Sequence, residues 1–378
     1  MIEEIKDKLI RIVYQLFRRF PIKKDRVLLF SYYGEQFAGA PKYIGTYLKQ
    51  NSGLDTIWAF VNPEKYIDYF SNNEMVRYRH TAYYFMLATA GTIITDYRMT
   101  AEFVKRPGQL YIQTWHSSLR LKQIENDAAN TLPKGYIQMA KKDSAQIDIL
   151  LAGSRKSKEI YRRAFWYDGL IAETGTPQCD ILVRQDQAIT KKVLRHFEIP
   201  WGSHIIMYAP TFRKNHSTSV YDLDATVVLK ALRERFGGEW YLLLRLHPHL
   251  KKNLTFFEYS EHVIQATDYD DVQELICAAD FLISDYSAIM FDFSVTGRPC
   301  ILYTPDIDEY VEQDRKLYFD LQTLPFQSFR KQEELIRAIE HFDENAYQKA
   351  LDEFRSSIGS YDDGKACERV WRLIQKGL

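Results

Sequence analysis

The sequence lacks the features of secreted, membrane-spanning and nucleic-acid-binding proteins. Its four cysteines lie far apart, with no C-x-x-C pair and no zinc-like spacing, which predicts reduced cysteines in an intracellular protein. Charge interrupts every apolar run near the start, so neither a secretory signal nor a membrane-spanning segment is predicted there. The 50 basic residues balance the 50 acidic residues, which excludes a whole-protein attraction to nucleic acid.

Several motifs of common enzymes are also missing. The sequence contains no Walker loop, no G-x-G-x-x-G and no nucleophile elbow, which argues against P-loop, dinucleotide-binding and hydrolase classes. Aromatic residues are abundant instead, with 26 Tyr and 22 Phe in a chain that is 46% hydrophobic and 26% charged. At 378 residues, this composition predicts an ordered globular protein of two domains rather than a disordered chain.

The first twenty residues have the pattern of an amphipathic helix. Apolar residues recur at helical spacing from Ile2 to Phe20, and basic residues outnumber acidic ones. This pattern predicts a helix that lies in a membrane interface and is attracted by anionic lipid. The expected membrane contacts are Arg11, Phe17, Arg18 and Arg19. A helix whose apolar face packs on the protein's own body fits the same pattern.

The rest of the chain alternates short apolar runs with amphipathic stretches, which predicts an α/β fold with mostly parallel sheets. One series runs from "RVLLFSYY" to "DILLAGS", and a second from "HIIMYAPTF" to "CILYT". Turn signals between Glu173 and Ser203 mark the expected crossing between two Rossmann-like domains that face a central cleft. The predicted segments are 1–20 for the amphipathic helix, 21–185 and 186–345 for the two domains, and 346–378 for a C-terminal helical segment that can pack across both.

Two clusters of polar residues follow predicted strands of the second series. Arg245, His247 and His249 alternate at the end of "YLLLRLHPH", so strand geometry predicts three side chains on one face. Asp285 and Ser287 lie between a strand and a helix, where backbone N–H groups at the helix start can bind an anion. A two-histidine metal site lacks a third ligand at fixed spacing, so no metal site is predicted. The alternative explanation of this cluster is structural: a capping arginine beside a hydrogen-bonded histidine, with no ligand.

His116 ends the predicted strand "QLYIQTWH" of the first series. It lies at the carboxyl edge of the expected sheet, next to Ser117, Ser118 and Lys122. A lone histidine is often structural, yet one in this position suits a general base that deprotonates a hydroxyl group. Ser117, Ser118 and Lys122 are the expected contacts on the acceptor side.

Seven motifs resemble those of one known family in their order and intervals. They are "TWHSSLRLK", "GTPQCD", "YAPTFR", "RLHPH", "SDYSAIMFDF", "GRPCILY" and "DGKACERV". Together they resemble the CDP-glycerol glycerophosphotransferase family of bacterial teichoic acid and capsule synthesis, over about Val27 to Val370. The resemblance implies a GT-B-like architecture, with the acceptor on the N-terminal domain and the CDP donor mainly on the C-terminal one.

The resemblance also implies the reaction and its residues. Family members move glycerol phosphate, or in some cases ribitol phosphate, from its CDP ester to a hydroxyl of a lipid-linked acceptor and release CMP. The family's catalytic histidines fall on His116 and His247. Its donor-site residues fall on Arg213, Asp285 and Ser287, and Arg245 joins them from its place beside His247. No cofactor is expected, and dependence on a divalent metal is left open.

Two positions depart from the family pattern. Ser117 stands where the family usually has Gly, and "GTPQCD" lacks the Arg and Asn of the usual Gly-x-Pro-Arg-Asn-Asp. The fold and the phosphotransfer chemistry depend on these positions less than the identity of the substrate does. The sequence therefore leaves open whether the polyol is glycerol or ribitol, and whether one unit or many are added.

The expected partners follow from the family. They are a CDP-glycerol or CDP-ribitol donor, a lipid-linked saccharide or polyol-phosphate acceptor and an anionic membrane surface, without nucleic acid. The expected location is the cytoplasmic face of the bacterial membrane, as a peripheral protein. Two alternatives stay open: a GT-B glycosyltransferase or epimerase that uses a nucleotide sugar, and a catalytically silent membrane scaffold.

Overall fold

The apolar runs form two parallel sheets in a computed structural model that describes residues 10, 12–213, 223–246, 259–313 and 316–377. The chain divides into two units. The first unit comprises Met1–His116, Glu125–Asp180 and Tyr361–Leu378, and the second comprises Ser117–Ile124 and Ile181–Ser360. The chain therefore changes unit four times, after His116, Ile124, Asp180 and Ser360.

The first unit is built on a seven-stranded sheet of order β3-β2-β1-β4-β5-β6-β7, with parallel pairing between these strands. Its strands are β1 Lys23–Phe30, β2 Asp55–Phe60, β3 Met75–Arg77, β4 Ala90–Thr95, β5 Leu110–Gln113, β6 Ile149–Ala152 and β7 Leu170–Glu173. Its helices are α1 Gly39–Asn51, α2 Thr81–Thr89, α3 Lys134–Ser144 and α4 Arg155–Ala164. Ser154 is the N-cap of α4, because its hydroxyl accepts a hydrogen bond from the Ser157 N–H (3.0 Å).

The second unit is built on a six-stranded sheet of order β10-β9-β8-β11-β12-β13, again parallel. Its strands are β8 His204–Ala209, β9 Trp240–Leu244, β10 Val263–Gln265, β11 Phe281–Ser284, β12 Cys300–Tyr303 and β13 Ser328–Phe329. The remaining helices, in chain order, are α5 Asp180–Arg184, α6 Gln187–His196, α7 Ala225–Phe236, α8 Val272–Ala278, α9 Ile289–Ser294, α10 Ile307–Gln313, α11 Gln332–Glu340, α12 Glu344–Ile358 and α13 Ala366–Gly377.

The two sheets share one topology, since each is wound outward in both directions from its first strand. In such a sheet, the strand order reverses at a switch point, and ligands bind outside the carboxyl ends of the strands there. The switch point lies between β1 and β4 in the first unit and between β8 and β11 in the second. Residues that follow these four strands are therefore the first candidates for a functional site.

Each sheet has its own apolar core. In the first unit, Leu28, Leu29, Ile93 and Ile94 are fully buried. In the second unit, Ile206, Met207, Leu243 and Ile283 are fully buried. Buried β-branched and leucine side chains on both faces are typical of parallel strands covered by helices. The cores thus explain why these strands have near-continuous apolar runs in the sequence.

The last helix, α13, packs in the first unit. Its first N–H groups, at Ala366 and Cys367, both donate to the carboxylate of Asp180 (2.9 Å each). The Asp362 side chain accepts a further hydrogen bond from the Thr176 N–H (2.6 Å). The preceding helix α12 belongs to the second unit and ends at Gly359, whose φ of 61° suits glycine. The segment 346–378 is thereby divided between the two units.

Candidate active site

The switch point of the first unit is held together by Asp96. This residue follows β4, is fully buried, and its Oδ1 accepts a hydrogen bond from the N–H of Tyr32, which follows β1 (2.9 Å). The other oxygen, Oδ2, has no hydrogen-bond partner in the described part of the chain. Burial raises the pKa of Asp96 to about 8, because the site disfavours the charged form.

His116 lies beside Asp96, three residues after the end of β5. Its Nδ1 is 3.4 Å from the main-chain oxygen of Asp96, and a carbonyl oxygen can only accept. A hydrogen bond at this contact requires the hydrogen on Nδ1, and in that tautomer Nε2 is the atom that takes up a proton. The ring is stacked on Tyr97 (centroids 4.9 Å apart, 19°) and also contacts Trp115 (4.5 Å).

A buried ionic network packs against the Trp115 ring through Arg98. The Arg98 guanidinium lies over the rings of Phe165 (4.4 Å) and Trp115 (5.8 Å). It pairs with Glu125 (2.7 Å) and Asp143 (3.2 Å). Burial, opposed by the nearby Arg98 charge, raises the pKa of Asp143 to about 6. No local sequence motif indicates this network, because the two carboxylates, Glu125 and Asp143, are 27 and 45 residues from Arg98 along the chain.

The segment 117–124 belongs to the second unit, where Asp292 on α9 anchors it. Ser118 donates to Asp292 Oδ1 from its N–H (2.9 Å) and from its hydroxyl, while Gln273 donates to Oδ2 (2.7 Å). Ser117 accepts a hydrogen bond from Arg120 (2.7 Å) and donates one to the oxygen of Leu119 (2.9 Å). The predicted acceptor-side serines are thus fixed by hydrogen bonds inside this unit.

Lys122 continues the same segment. It forms an antiparallel bridge with Leu317, and its ammonium group lies 5.3 Å from the centroid of the Tyr310 ring. The Arg213 guanidinium lies 5.0 Å from the centroid of the same ring. Lys122, predicted on the acceptor side, and Arg213, predicted on the donor side, therefore pack against the same tyrosine ring.

A cluster of charged residues around the buried Arg213 lies at the switch point of the second unit. Arg213, which follows β8, pairs with Asp285 (2.8 Å), which follows β11, and with Asp306 (2.6 Å), which follows β12. Asp285 also accepts hydrogen bonds from the N–H of Thr211 (2.9 Å) and from its hydroxyl (2.6 Å). The Arg213 guanidinium packs on the ring of Tyr286 (4.8 Å). Asp285 and Arg213 thus orient each other across the crevice.

Arg245 and Ser287 lie at the same edge of the second sheet. Strand β9 ends at Leu244, one residue before Arg245, although the Arg245 N–H still donates to the Tyr208 oxygen (2.8 Å). The guanidinium donates to three carbonyl oxygens of the loop after β10, those of Ala266, Thr267 and Tyr269. The Ser287 hydroxyl accepts a hydrogen bond from the Ile289 N–H (3.3 Å), the first of α9.

Two of the predicted site residues, His247 and Arg11, lie outside the described residues, as does His249. The neighbours of Arg11 are described from residue 12 onward, and residues 12–17 are helical. Tyr14 is fully buried, with its hydroxyl bonded to the Val104 oxygen (3.2 Å), and Phe17 packs edge-on against Phe85 (5.4 Å). One side of this segment therefore packs on the first unit.

The part of the chain that the structure describes contains no helix long and apolar enough to cross a membrane. The same residues contain no group of three or more His, Cys, Asp or Glu side chains arranged to hold a metal ion.

Solved structures define the class of the protein. The wall teichoic acid polymerase TagF superposes with a TM-score of 0.84 at 29% identity, over 99% of this chain and 95% of that one. A histidine variant of TagF soaked with CDPG is equally similar (TM-score 0.85). A UDP-GlcNAc 2-epimerase from Neisseria meningitidis shares the fold alone, at 12% identity and a TM-score of 0.53. The predicted α/β, GT-B-like class is confirmed.

The chain belongs to the CDP-glycerol:poly(glycerophosphate) glycerophosphotransferase family, whose family model matches residues 12–376. A teichoic acid poly(glycerol phosphate) polymerase from Staphylococcus epidermidis is 31% identical over 372 residues, 94% of this chain and 51% of that protein. A teichoic acid glycerol-phosphate transferase from Staphylococcus aureus is 30% identical, over 96% of each chain. The chain thus spans about half of the first relative and nearly all of the second. The predicted family and transferase class are confirmed.

Proposed function

We propose that the protein transfers glycerol phosphate from CDP-glycerol, or ribitol phosphate from CDP-ribitol, to a hydroxyl group of a lipid-linked acceptor and releases CMP. Membership of the family and the similarity to TagF support this reaction. The observation that carries it is the setting of His116. Its partly exposed imidazole lies at the carboxyl edge of the first sheet, with Nδ1 directed at a carbonyl oxygen and Nε2 as the proton acceptor.

In the proposed reaction, the acceptor oxygen attacks the phosphorus nearest the glycerol. The hydroxyl proton passes to Nε2 of His116 as the new P–O bond forms. The bond from that phosphorus to the bridging oxygen breaks, its electron pair stays on the bridging oxygen, and CMP leaves with additional negative charge. In such a transfer, the protein contributes mainly positioning and electrostatic stabilisation.

We assign the donor diphosphate to the carboxyl edge of the second sheet. The cluster of Arg213, Asp285 and Asp306 sets one guanidinium against two carboxylates, so it cannot attract a diphosphate by its charge alone. Additional positive charge is needed, and Arg245 and the predicted catalytic His247 are proposed to supply it. In this proposal, Arg213 and Asp285 act on the donor by keeping the two strand ends in a fixed arrangement.

A donor panel tests the proposed function. The protein is incubated with a synthetic lipid-linked acceptor and with CDP-glycerol, CDP-ribitol, UDP-sugars or CMP-sugars in turn, while nucleotide release and product mass are measured. We expect CMP release, with addition of a polyol phosphate, only from a CDP-alcohol. Turnover of a nucleotide sugar instead would favour a glycosyltransferase or epimerase, and binding without turnover of any donor would favour a scaffold.

We further propose that the protein binds the cytoplasmic face of the membrane peripherally through its N-terminal segment. Tyr14 packs inward, but Ile12, Leu16 and Phe20 are 59%, 49% and 50% exposed. Arg18 and Arg19 follow in the same segment, which suits an interface rich in anionic lipid.

Replacing Ile12 and Leu16 together by Ser should reduce co-sedimentation with phosphatidylglycerol vesicles, while turnover of a water-soluble acceptor persists. Ile67→Ser is the matched control, because Ile67 is an equally exposed isoleucine of the same unit (62%). The proposal fails if the double variant binds vesicles as the parent does.

A further inference from the structure

Three tyrosines beside His116 have no role in the reaction described so far. Tyr32 and Tyr33 follow β1, and Tyr97 follows β4, so all three lie at the switch point of the first unit. The Tyr97 ring contacts both Tyr32 (5.3 Å) and Tyr33 (4.9 Å), and its stacking on His116 continues the row. We call Tyr32, Tyr33 and Tyr97 the tyrosine shelf.

The backbone of the shelf is strained. Tyr32 and Tyr33 have φ values of 49° and 55°, a left-handed conformation that is rare for aromatic residues. The strain is held in place by hydrogen bonds, from the Tyr32 N–H to Asp96 and from the Ser31 hydroxyl to the Gln36 oxygen (2.7 Å). Such strain concentrates at functional sites, where it presents a side chain in a required orientation.

The shelf is also accessible. All three rings are partly exposed, whereas the apolar residues of β1 and β4 beneath them are buried. A partly exposed row of aromatic rings next to a general base is a surface on which part of a substrate can lie. Aromatic faces carry partial negative charge and attract the weakly positive C–H groups of a ring that lies flat on them.

The charges around the shelf disfavour a phosphate there. Asp96 keeps its proton at neutral pH, so the ionised groups that act on the Tyr33 hydroxyl there are Asp143, Glu125 and Arg98, two acidic groups against one basic group. Burial, followed by the field of Asp143, raises the pKa of Tyr33. A negatively charged ligand would be repelled by this excess of carboxylates, whereas a neutral ligand would not.

We propose that the tyrosine shelf binds a neutral sugar ring of the acceptor, next to the hydroxyl that His116 deprotonates. This inference rests on the proposed phosphotransfer function and adds to it the chemical class of the acceptor. An acceptor that ends in a saccharide places an uncharged ring on the shelf. An acceptor that ends in a polyol phosphate places a phosphate in a locally negative field, and should bind less well.

The test compares two soluble acceptors with the same octyl group, one ending in an uncharged disaccharide and the other in glycerol phosphate. With CDP-glycerol as donor, we expect a lower KM for the disaccharide. Tyr33→Ala should raise that KM about tenfold, the effect of losing about 1.4 kcal/mol of ring contact. The donor KM should not change, and Tyr33→Phe, which keeps the ring, should behave nearly as the parent. Trp201→Ala, at a 63% exposed aromatic of the second unit, is the control.

Saturation-transfer NMR with the disaccharide alone separates this proposal from the proposed function. Loss of ligand signal in Tyr33→Ala, with retention in Tyr33→Phe, supports the tyrosine shelf whether or not CMP is released. Absence of CMP release with both acceptors would overturn the phosphotransfer function and not the shelf. An unchanged signal and KM in a folded Tyr33→Ala protein, or an equal KM increase for both acceptors, overturns the shelf.

Discussion

The two units share a strand order but differ in what lies at their switch points. In the first unit, a partly exposed histidine is flanked by aromatic rings, and the nearest carboxyl group is buried and held by a backbone N–H. In the second unit, the crevice is crossed by a buried guanidinium between two carboxylates. One fold has thus been given two chemistries, one suited to moving a proton and the other to fixing charges. Topology locates a site, and the side chains at the strand ends decide its chemistry.

Removing Arg213 should disrupt the charge cluster at the second switch point. Of the substitutions considered, it should lower the free energy of unfolding the most. Arg213→Met leaves the buried Asp285 and the partly buried Asp306 without their cation, and losing the partner of a buried charge typically costs about 3–5 kcal/mol. Urea unfolding measures the loss. Arg330→Met is the control, because Arg330 pairs with Asp308 on the exposed surface. Similar midpoints for the two variants would show that the buried cluster is not a stabilising element.

Replacing Asp96, at the first switch point, should change how the free energy of unfolding depends on pH. The folded protein keeps the Asp96 proton up to about pH 8, whereas an unfolded aspartate releases it near 3.8. The folded state therefore binds more protons between these values, so the free energy of unfolding falls as pH rises through that window. Asp96→Asn removes this slope. Its stability relative to the parent should be greater at about pH 8 than at about pH 5 by urea unfolding.

The exposed Asp68→Asn is the control for that experiment. Parallel pH profiles for the parent and Asp96→Asn would mean that Asp96 is already ionised in the folded protein at neutral pH.

Ser287→Ala should have the smallest effect of the set. If its hydroxyl gives the donor one neutral hydrogen bond, its loss should weaken CDP-glycerol binding by about 1 kcal/mol, about fivefold. Calorimetric titration with CDP-glycerol measures this change. Ser328→Ala, on the edge strand β13 of the same sheet, is the control. Unchanged affinity would remove Ser287 from the donor site and leave it with its hydrogen bond from the first N–H of α9.

The sequence predicted the fully buried strands better than the partly exposed ones. Apolar runs marked β1, β4, β8 and β11, and hence both switch points, because buried parallel strands are apolar on both faces. The strands β3, β7 and β13 escaped notice, since each includes exposed or partly exposed residues and lacks a continuous apolar run. Their pairing is set by neighbouring strands rather than by their own pattern.

The partners of the site residues were less predictable still. The strand pattern placed His116 and Asp285 after strands, and the family resemblance added Arg213; all three follow strands in the structure. Neither the pattern nor the resemblance could reveal that Arg213 pairs with Asp306, 93 residues away, or that Ser118 is anchored by Asp292, 174 residues away. These contacts depend on how the elements pack, for which a single sequence carries no local signal. The tyrosine shelf likewise depends on β1 and β4 being neighbours.

His116→Ala tests the central claim most directly, that the first switch point moves the proton while the second holds the donor. Calorimetry and a CMP-release assay are performed on the same preparation, with the exposed His80→Ala as the matched control. The account predicts that transfer falls by about a hundredfold or more, as for loss of a general base, while the dissociation constant for CDP-glycerol stays within a few fold of the parent value. Near-normal CMP release, or loss of donor binding together with activity, would contradict it.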